Sequence, residues 1–230
     1  MAKLYFRYGA MNSGKSTGLL QAAFNYEERG QRVLLAKPQV DSKGEDQIVS
    51  RLGVTRNADF LIPPGADLMA LFRQEARRDD PTALLTHLDG EVKPVACLLV
   101  DEAQFLEPAQ VDDLLRIAVL EGVPVMAYGI RTDFRTASFP GSARLMELAH
   151  SLEELKTICR CGRKAIFNTR KVVDTVAGHD AGPVAGAREP RRERFVFEGD
   201  QVAIDGVEVT YESLCGVCYL EESGGRLGAE

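Results

Sequence analysis

Residues 9–16 read Gly9, Ala10, Met11, Asn12, Ser13, Gly14, Lys15 and Ser16, a complete GxxxxGK[ST] pattern. No other stretch constrains the fold as strongly. A loop of this type works only between a strand and a helix, where its backbone N–H groups and the helix N-terminus converge on phosphate oxygens. The flanks agree. Leu4 to Tyr8 is short, apolar and aromatic, as a first strand should be, and Thr17 to Arg29 has helical composition and stops at Gly30. In such a loop Lys15 reaches the β- and γ-phosphates of a nucleotide and the Ser16 hydroxyl binds Mg²⁺.

The rest of the first two-thirds alternates strand and helix. Val33 to Ala36 reads as a second strand, Asp67 to Arg78 as a helix with Leu68, Leu71 and Phe72 on one face, and Val95 to Val100 as a buried strand. A continuous apolar run of that length is what a parallel strand covered on both faces requires. Pro108 to Leu120 reads as a helix, Val123 to Tyr128 as a strand, and Gly141 to Leu155 as a helix with Leu145, Leu148, Leu152 and Leu155 on one side. Alternation of this kind predicts an α/β fold, a P-loop (RecA-like) mostly parallel sheet flanked by helices, over residues 1–155. Polar residues from Lys37 to Asn57 predict a flexible lid over about 38–57. Beyond residue 155 short strand-like pieces lie between cysteines. They predict a second, small metal-binding domain over 156–222, interrupted by a loop at Ala177 to Arg194, with a disordered tail at 223–230.

Strand Val95–Val100 runs directly into Asp101, Glu102, Ala103, Gln104 and Phe105. A P-loop fold needs an acid at the end of such a strand, beside its loop, to serve the Mg²⁺ sphere. Asp101 takes that role here. Glu102, next to it, is placed to accept a proton from an attacking hydroxyl. The structural alternative is that both acids merely end the strand and cap the helix at Pro108.

Four of the five cysteines form close pairs, Cys159 with Cys161 and Cys215 with Cys218. Four thiolates suit a tetrahedral Zn²⁺ and leave no open position, so the site would be structural. Gly162 lets the tighter first pair turn sharply. Cys97 lies in the apolar strand and reads as core. His87, His150 and His179 show no ligand spacing. A net charge of −6 argues against nucleic acid or an anionic membrane as partner. The longest apolar run is far too short to span a bilayer. Met1, Ala2 and Lys3 lead straight into the first strand, so no secretory signal is expected, and the cysteine usage fits a reducing, cytosolic compartment.

These parts in this order resemble the type II thymidine kinase family. The likeness rests on Gly9–Ser16, on Asp101–Phe105, on Tyr128 to Arg135, on Phe139 to Arg144, on the Leu155–Cys159 approach and on the paired cysteines. It implies transfer of the γ-phosphate of ATP, with Mg²⁺, to the 5′-hydroxyl of thymidine and of deoxyuridine. Glu102 would be the proton acceptor. The ATP side would comprise the loop, Arg51, and Asp101, Glu102, Ala103 and Gln104. The nucleoside would meet Met11, Phe105, Ile130, Phe134, Asn168, Val202, Ile204, Gly206 and Tyr211, with main-chain groups reading the thymine edge. A structural zinc, a homotetramer and feedback by thymidine triphosphate are also implied.

The chain departs from the family pattern in places. Lys43 stands where the family carries a lid arginine, so the charge is kept and the bidentate fork is lost. Asp205-Gly206 replaces a Gly-Gly, with one extra residue before Tyr211. Two other classes fit the loop alone: a P-loop ATPase acting on a macromolecule, and a nucleotide switch without transfer chemistry. The first would want basic surface, and the second would not need Glu102 beside Asp101.

Overall fold

The computed structural model describes residues 1–39, 46–78, 93–174, 192–201 and 209–228. The chain divides into two compact units, one of residues 1–131 with 138–155 and one of residues 132–137 with 156–230. The short segment Thr132–Ala137 thus packs with the second unit although it lies inside the first in sequence.

The first unit is built on a six-stranded sheet. Its strands are β1 (Leu4–Tyr8), β2 (Arg32–Pro38), β5 (Phe60–Ile62), β6 (Val95–Val100), β7 (Val125–Gly129) and β8 (Ser151–Glu154). They lie in the order β5-β2-β6-β7-β1-β8, and every neighbouring pair is parallel. Helices α1 (Lys15–Glu27), α2 (Leu68–Ala76), α3 (Pro108–Leu120) and α4 (Pro140–Leu148) supply the apolar faces that cover it. One cluster joins Phe6, Leu34, Leu98, Val100, Ile117 and Leu145, and a second joins Leu19, Leu35, Leu99 and Tyr128. Alternate residues of β6 therefore enter opposite layers, which is why its sequence is apolar throughout.

Local chemistry sets the helix ends. The Asp67 side chain accepts from Ala70 N at 2.8 Å to start α2. Glu107 and Gln110 form a reciprocal capping box at α3, with Pro108 in the first turn. That capping falls to Glu107 removes the reading in which Asp101 and Glu102 serve the helix.

One expectation is corrected. The helix read over Gly141–Leu155 stops at Leu148, because Ala149 turns to extended backbone. Residues 151–154 instead become the edge strand β8. His150 N donates to Leu4 O and Leu155 N to Tyr8 O, satisfying the open side of β1. His150 closes the end of this pairing by accepting Leu4 N on Nδ1 at 3.1 Å. The described part of the expected lid, residues 46–57, is an antiparallel hairpin of β3 (Gln47–Val49) and β4 (Thr55–Asn57), anchored by buried Ile48. Lys43, His87 and His179 lie outside the described residues.

The second unit carries β9 (Thr157–Ile158) against β10 (Lys164–Ala165), and a sheet of β11 (Phe167–Asp174), β12 (Arg192–Val196) and β13 (Val209–Leu214) in the order β12-β11-β13. Helix α5 (Gly216–Ser223) follows. The unit's small core joins Cys159, Ala165, Leu214, Cys215, Cys218 and Tyr219, with Phe167, Phe195 and Phe197 packed on it. Residues 224–228, expected in the tail, continue from α5, and Gly228 N donates to Arg135 O at 2.9 Å.

Candidate active site

The loop between β1 and α1 is shaped by two left-handed residues and one close approach. Asn12 and Gly14 have φ of 68° and 77°. A Cβ on Gly9 would lie 2.4 Å from Ser13 Oγ and 2.7 Å from Leu155 O, so only glycine fits there. Lys15 folds back over the loop, its Nζ donating to Ala10 O at 2.9 Å and more weakly to Gly9 O at 3.4 Å. Burial lowers the Lys15 pKa, Glu102 and Asp101 oppose that shift, and the positive charge of Arg51 adds to it. Arg51 sits exposed in the turn between β3 and β4, and that coupling places it within electrostatic reach of the loop lysine.

Ser16 Oγ donates to Asp101 Oδ2 at 3.1 Å, across 85 positions of sequence. Asp101 is only 4% exposed. Burial first, then the neighbouring Glu102, raise its pKa to about 6 against the hydrogen bonds from Glu102 N–H and Ser16. A carboxylate and a hydroxyl held this way at the foot of a phosphate loop form a hard-oxygen pair of the kind Mg²⁺ takes.

Glu102 has a different environment from its neighbour. Its backbone is left-handed, with φ 49° and ψ 36°, which is uncommon outside glycine. Its Oε2 accepts from Gln104 Nε2. Gln104 is itself buried, and its Oε1 accepts from Ile130 N at 3.2 Å. Two adjacent carboxylates are thus given separate partners. Ala103 is fully buried, and Phe105 packs edge-on against Phe139 with ring centroids 5.5 Å apart. Ile130 is held on its carbonyl by Ser142 Oγ.

In the second unit the four cysteine sulfurs lie within 4.8 Å of one another. Cys161 Sγ and Cys215 Sγ are 3.5 Å apart, close to the ~3.8 Å edge of a tetrahedron with Zn–S of about 2.3 Å. Gly162 at φ 84° makes the sharp turn of the tight pair, and Gly162 N donates to Cys159 O at 2.8 Å. A hydrogen bond from Cys218 N–H holds the Cys215 thiol down at about 6, whereas hydrogen bonding with Cys161 and the other sulfurs keeps Cys218 up at about 12. Four sulfurs this close could all be thiolates only around a cation, and the donor set fits Zn²⁺. Cys97, by contrast, is fully buried and its thiol is pushed up to about 12, mainly by desolvation.

Of the expected nucleoside residues, Met11 lies half-buried in the loop. Asn168 is 3% exposed and its Nδ2 donates to Thr132 O at 3.0 Å. Phe134 is buried, and its carbonyl accepts the Tyr219 hydroxyl at 2.8 Å. Tyr211 is half-buried on β13. Val202, Ile204 and Gly206 lie outside the described residues. Sequence reasoning did not find Arg170, buried beside the Phe134 and Tyr211 rings. Its only signal was a basic residue on an otherwise mixed strand. Nor did it find the link from Gln104 to Glu102, which requires knowing that a side chain at position 104 meets the end of β7.

A parallel sheet whose first strand feeds a phosphate loop, with a strand-end aspartate bonded to the loop serine, defines a P-loop nucleotide-binding protein. Comparison with known sequences narrows the class. The thymidine kinase family model matches residues 2–219. The chain is 43% identical over 225 residues to the thymidine kinase of Ruegeria pomeroyi, covering 97% of this chain and 96% of that one. It is 47% identical over 227 residues to that of Idiomarina loihiensis, covering 98% and 100%, and 41% identical over 220 residues to that of Chromobacterium violaceum, covering 95% and 98%. The chain belongs to the thymidine kinase family.

Proposed function

We propose that this chain transfers the γ-phosphate of ATP to the 5′-hydroxyl of thymidine, and of deoxyuridine, giving the nucleoside monophosphate and ADP. The observation that supports the reading is that the two acids at the end of β6 have different partners. Asp101 is engaged by Ser16 of the phosphate loop, and Glu102 is held by Gln104. One carboxylate serves the phosphate side, and the other is left to accept the hydroxyl proton.

On this reading the backbone of Gly9 to Ser16 cradles the phosphates. Lys15 leaves its loop carbonyls to meet them, and Arg51 adds charge from the hairpin. Ser16 and Asp101 would hold Mg²⁺, which when bound neutralises the triphosphate oxygens. Glu102 takes the 5′-hydroxyl proton as the oxygen attacks phosphorus and the bond to the bridging oxygen of ADP breaks. Most of the rate comes from positioning and electrostatics, since little covalent chemistry is left for the protein to do.

Nucleoside recognition is assigned to Met11, Phe105, Ile130, Phe134, Asn168, Val202, Ile204, Gly206 and Tyr211. The four cysteines carry a structural Zn²⁺. A homotetramer, feedback by thymidine triphosphate and a cytosolic site of action complete the proposal.

The test is ATP consumption with and without each of a panel of nucleosides, read beside formation of the monophosphate. Thymidine-dependent ADP release matched by thymidine monophosphate is expected. ATP hydrolysis indifferent to nucleoside would instead indicate a motor or switch. Light scattering on a sizing column, and inhibition by added thymidine triphosphate, test the oligomer and the feedback.

A further inference from the structure

Arg170 lies at the centre of β11, paired with Val196 of β12 and Tyr211 of β13. It is only 6% exposed, an unusual place for a guanidinium. Its Cζ sits 3.8 Å from the centroid of the Phe134 ring and 5.8 Å from that of Tyr211. Nη2 donates to Gln201 O at 3.0 Å, and Nε has no hydrogen-bond partner among the described residues. Among the described residues its one hydrogen-bond acceptor is a neutral carbonyl, a poor arrangement for stability alone, because desolvating the charge is costly and an apolar side chain would fill the space more cheaply.

What this guanidinium does geometrically is join three segments. It covers the face of Phe134, whose main chain is pinned separately by the Tyr219 hydroxyl. It borders Tyr211, and it holds Gln201, the residue just before Val202. The turn beneath Phe134 is itself rigid: Asp133 accepts from Arg135 N and Ala137 N at 2.8 and 2.9 Å and pairs with the Arg135 side chain. A planar cation can stack on a ring and donate in its own plane at the same time, which lysine cannot do.

The geometry points to Arg170 as the positioning residue of nucleoside recognition, fixing the Phe134 and Tyr211 rings and the carbonyl of Gln201 in one arrangement. This rests on the assignment of Phe134 and Tyr211 to the nucleoside site. Arg170 is too buried to contact the nucleoside itself, so its effect must pass through those neighbours.

The experiment measures thymidine and ATP kinetics, and zinc content, for full-length Arg170→Met, Arg170→Lys, Phe134→Leu, Tyr211→Leu and the Arg170→Lys/Phe134→Leu double variant. Arg170→Met should raise the thymidine KM about tenfold or more, and Arg170→Lys by several-fold, with the ATP KM within about twofold and zinc retained. Lysine and leucine together should cost clearly less than the product of the two single effects on thymidine KM. Should Arg170→Met not fold, the lysine variant and the double variant still decide.

An unchanged thymidine KM in the Arg170 variants, while Phe134→Leu and Tyr211→Leu raise it, overturns the role of Arg170 alone. An unchanged thymidine KM in the Phe134 and Tyr211 variants overturns the site assignment, and the proposal with it. Equal damage to the ATP and thymidine parameters, or strict multiplicativity in the double variant, shows a general packing role and also overturns it.

Discussion

The amide of Gln104 donates to the Glu102 carboxylate while its carbonyl oxygen accepts from Ile130 N, so the orientation of Glu102 is set by the end of β7. Gly129 makes room for this link: a Cβ there would lie 2.8 Å from Gln104 Oε1 and 3.1 Å from Gln104 N. Replacing Gln104 with leucine removes the donor without opening a large cavity. We expect kcat to fall about tenfold to a hundredfold with ATP affinity nearly unchanged, since what is lost is the aim of the base rather than the phosphate site. Steady-state kinetics on both substrates check this, and an unchanged kcat would remove Gln104 from the machinery.

Glu102 itself is tested by glutamine. The Gln104 contact survives as an amide–amide pair, and the left-handed backbone is kept. Turnover should drop by roughly 10² to 10⁴ while nucleotide binding, followed by calorimetry, stays within a few-fold. Normal turnover would exclude Glu102 as the proton acceptor.

Asp101 trades stability against function. Its pKa is raised from 3.8 to about 6 by burial and by Glu102, so the fold favours the protonated acid. With respect to this group, stability is greatest below about pH 4 and falls as pH rises through about 6, by up to about 3 kcal/mol. Asp101→Asn keeps an acceptor for Ser16 without the buried charge. Its nucleotide-free melting temperature should exceed that of the wild type by several degrees at pH 8, with the gap closing near pH 4, while activity is lost. A variant that melts lower at every pH would contradict the account.

Gly141 lies in the first turn of α4, against the backbone that follows Glu102. A Cβ would meet Leu106 O at 2.4 Å, Ala103 O at 2.8 Å and Gln104 O at 2.9 Å, all carbonyls that cannot rotate away. Gly141→Ala should destabilise by about 2 kcal/mol and lower kcat as well, because the segment that must shift carries Gln104. Denaturant unfolding beside kinetics reads both. A neutral effect on stability would mean that the turn and helix separate more easily than the packing suggests.

The cysteine cluster makes a prediction about metal. Purified protein should hold about one zinc per chain, and Cys218→Ser or strong chelation should remove it. Hydrogen exchange at residues 157–165 should then accelerate by orders of magnitude, and thymidine affinity should fall while ATP binding persists. A metal-free sample that keeps both its protection and its thymidine affinity would show that the sulfurs are not a staple.

Much of this protein was readable because its signals are local. The phosphate loop carries its conformation in Gly9 and Gly14, the apolar run of β6 marks a strand covered on both faces, and the cysteine spacings announce a four-sulfur site. Reading failed where one pattern served two structures. Leu145, Leu148, Leu152 and Leu155 recur at helical spacing, yet 151–154 is a strand, because the open edge of β1 offers a ladder of backbone partners that no periodicity within the segment can reveal.

The sequence by itself determined the class of ligand, the pair of acids and the two cysteine pairs, since each depends on residues a few positions apart. Only the tertiary structure decided which partner each of those acids meets and why Arg170 is buried. Asp101 finds Ser16 across 85 positions, Glu102 is oriented from β7 through Gln104, and Arg170 meets Phe134 from another part of the chain. Such contacts are fixed by which strands lie side by side, and strand order is settled by the packing of the whole sheet rather than by any one segment of sequence.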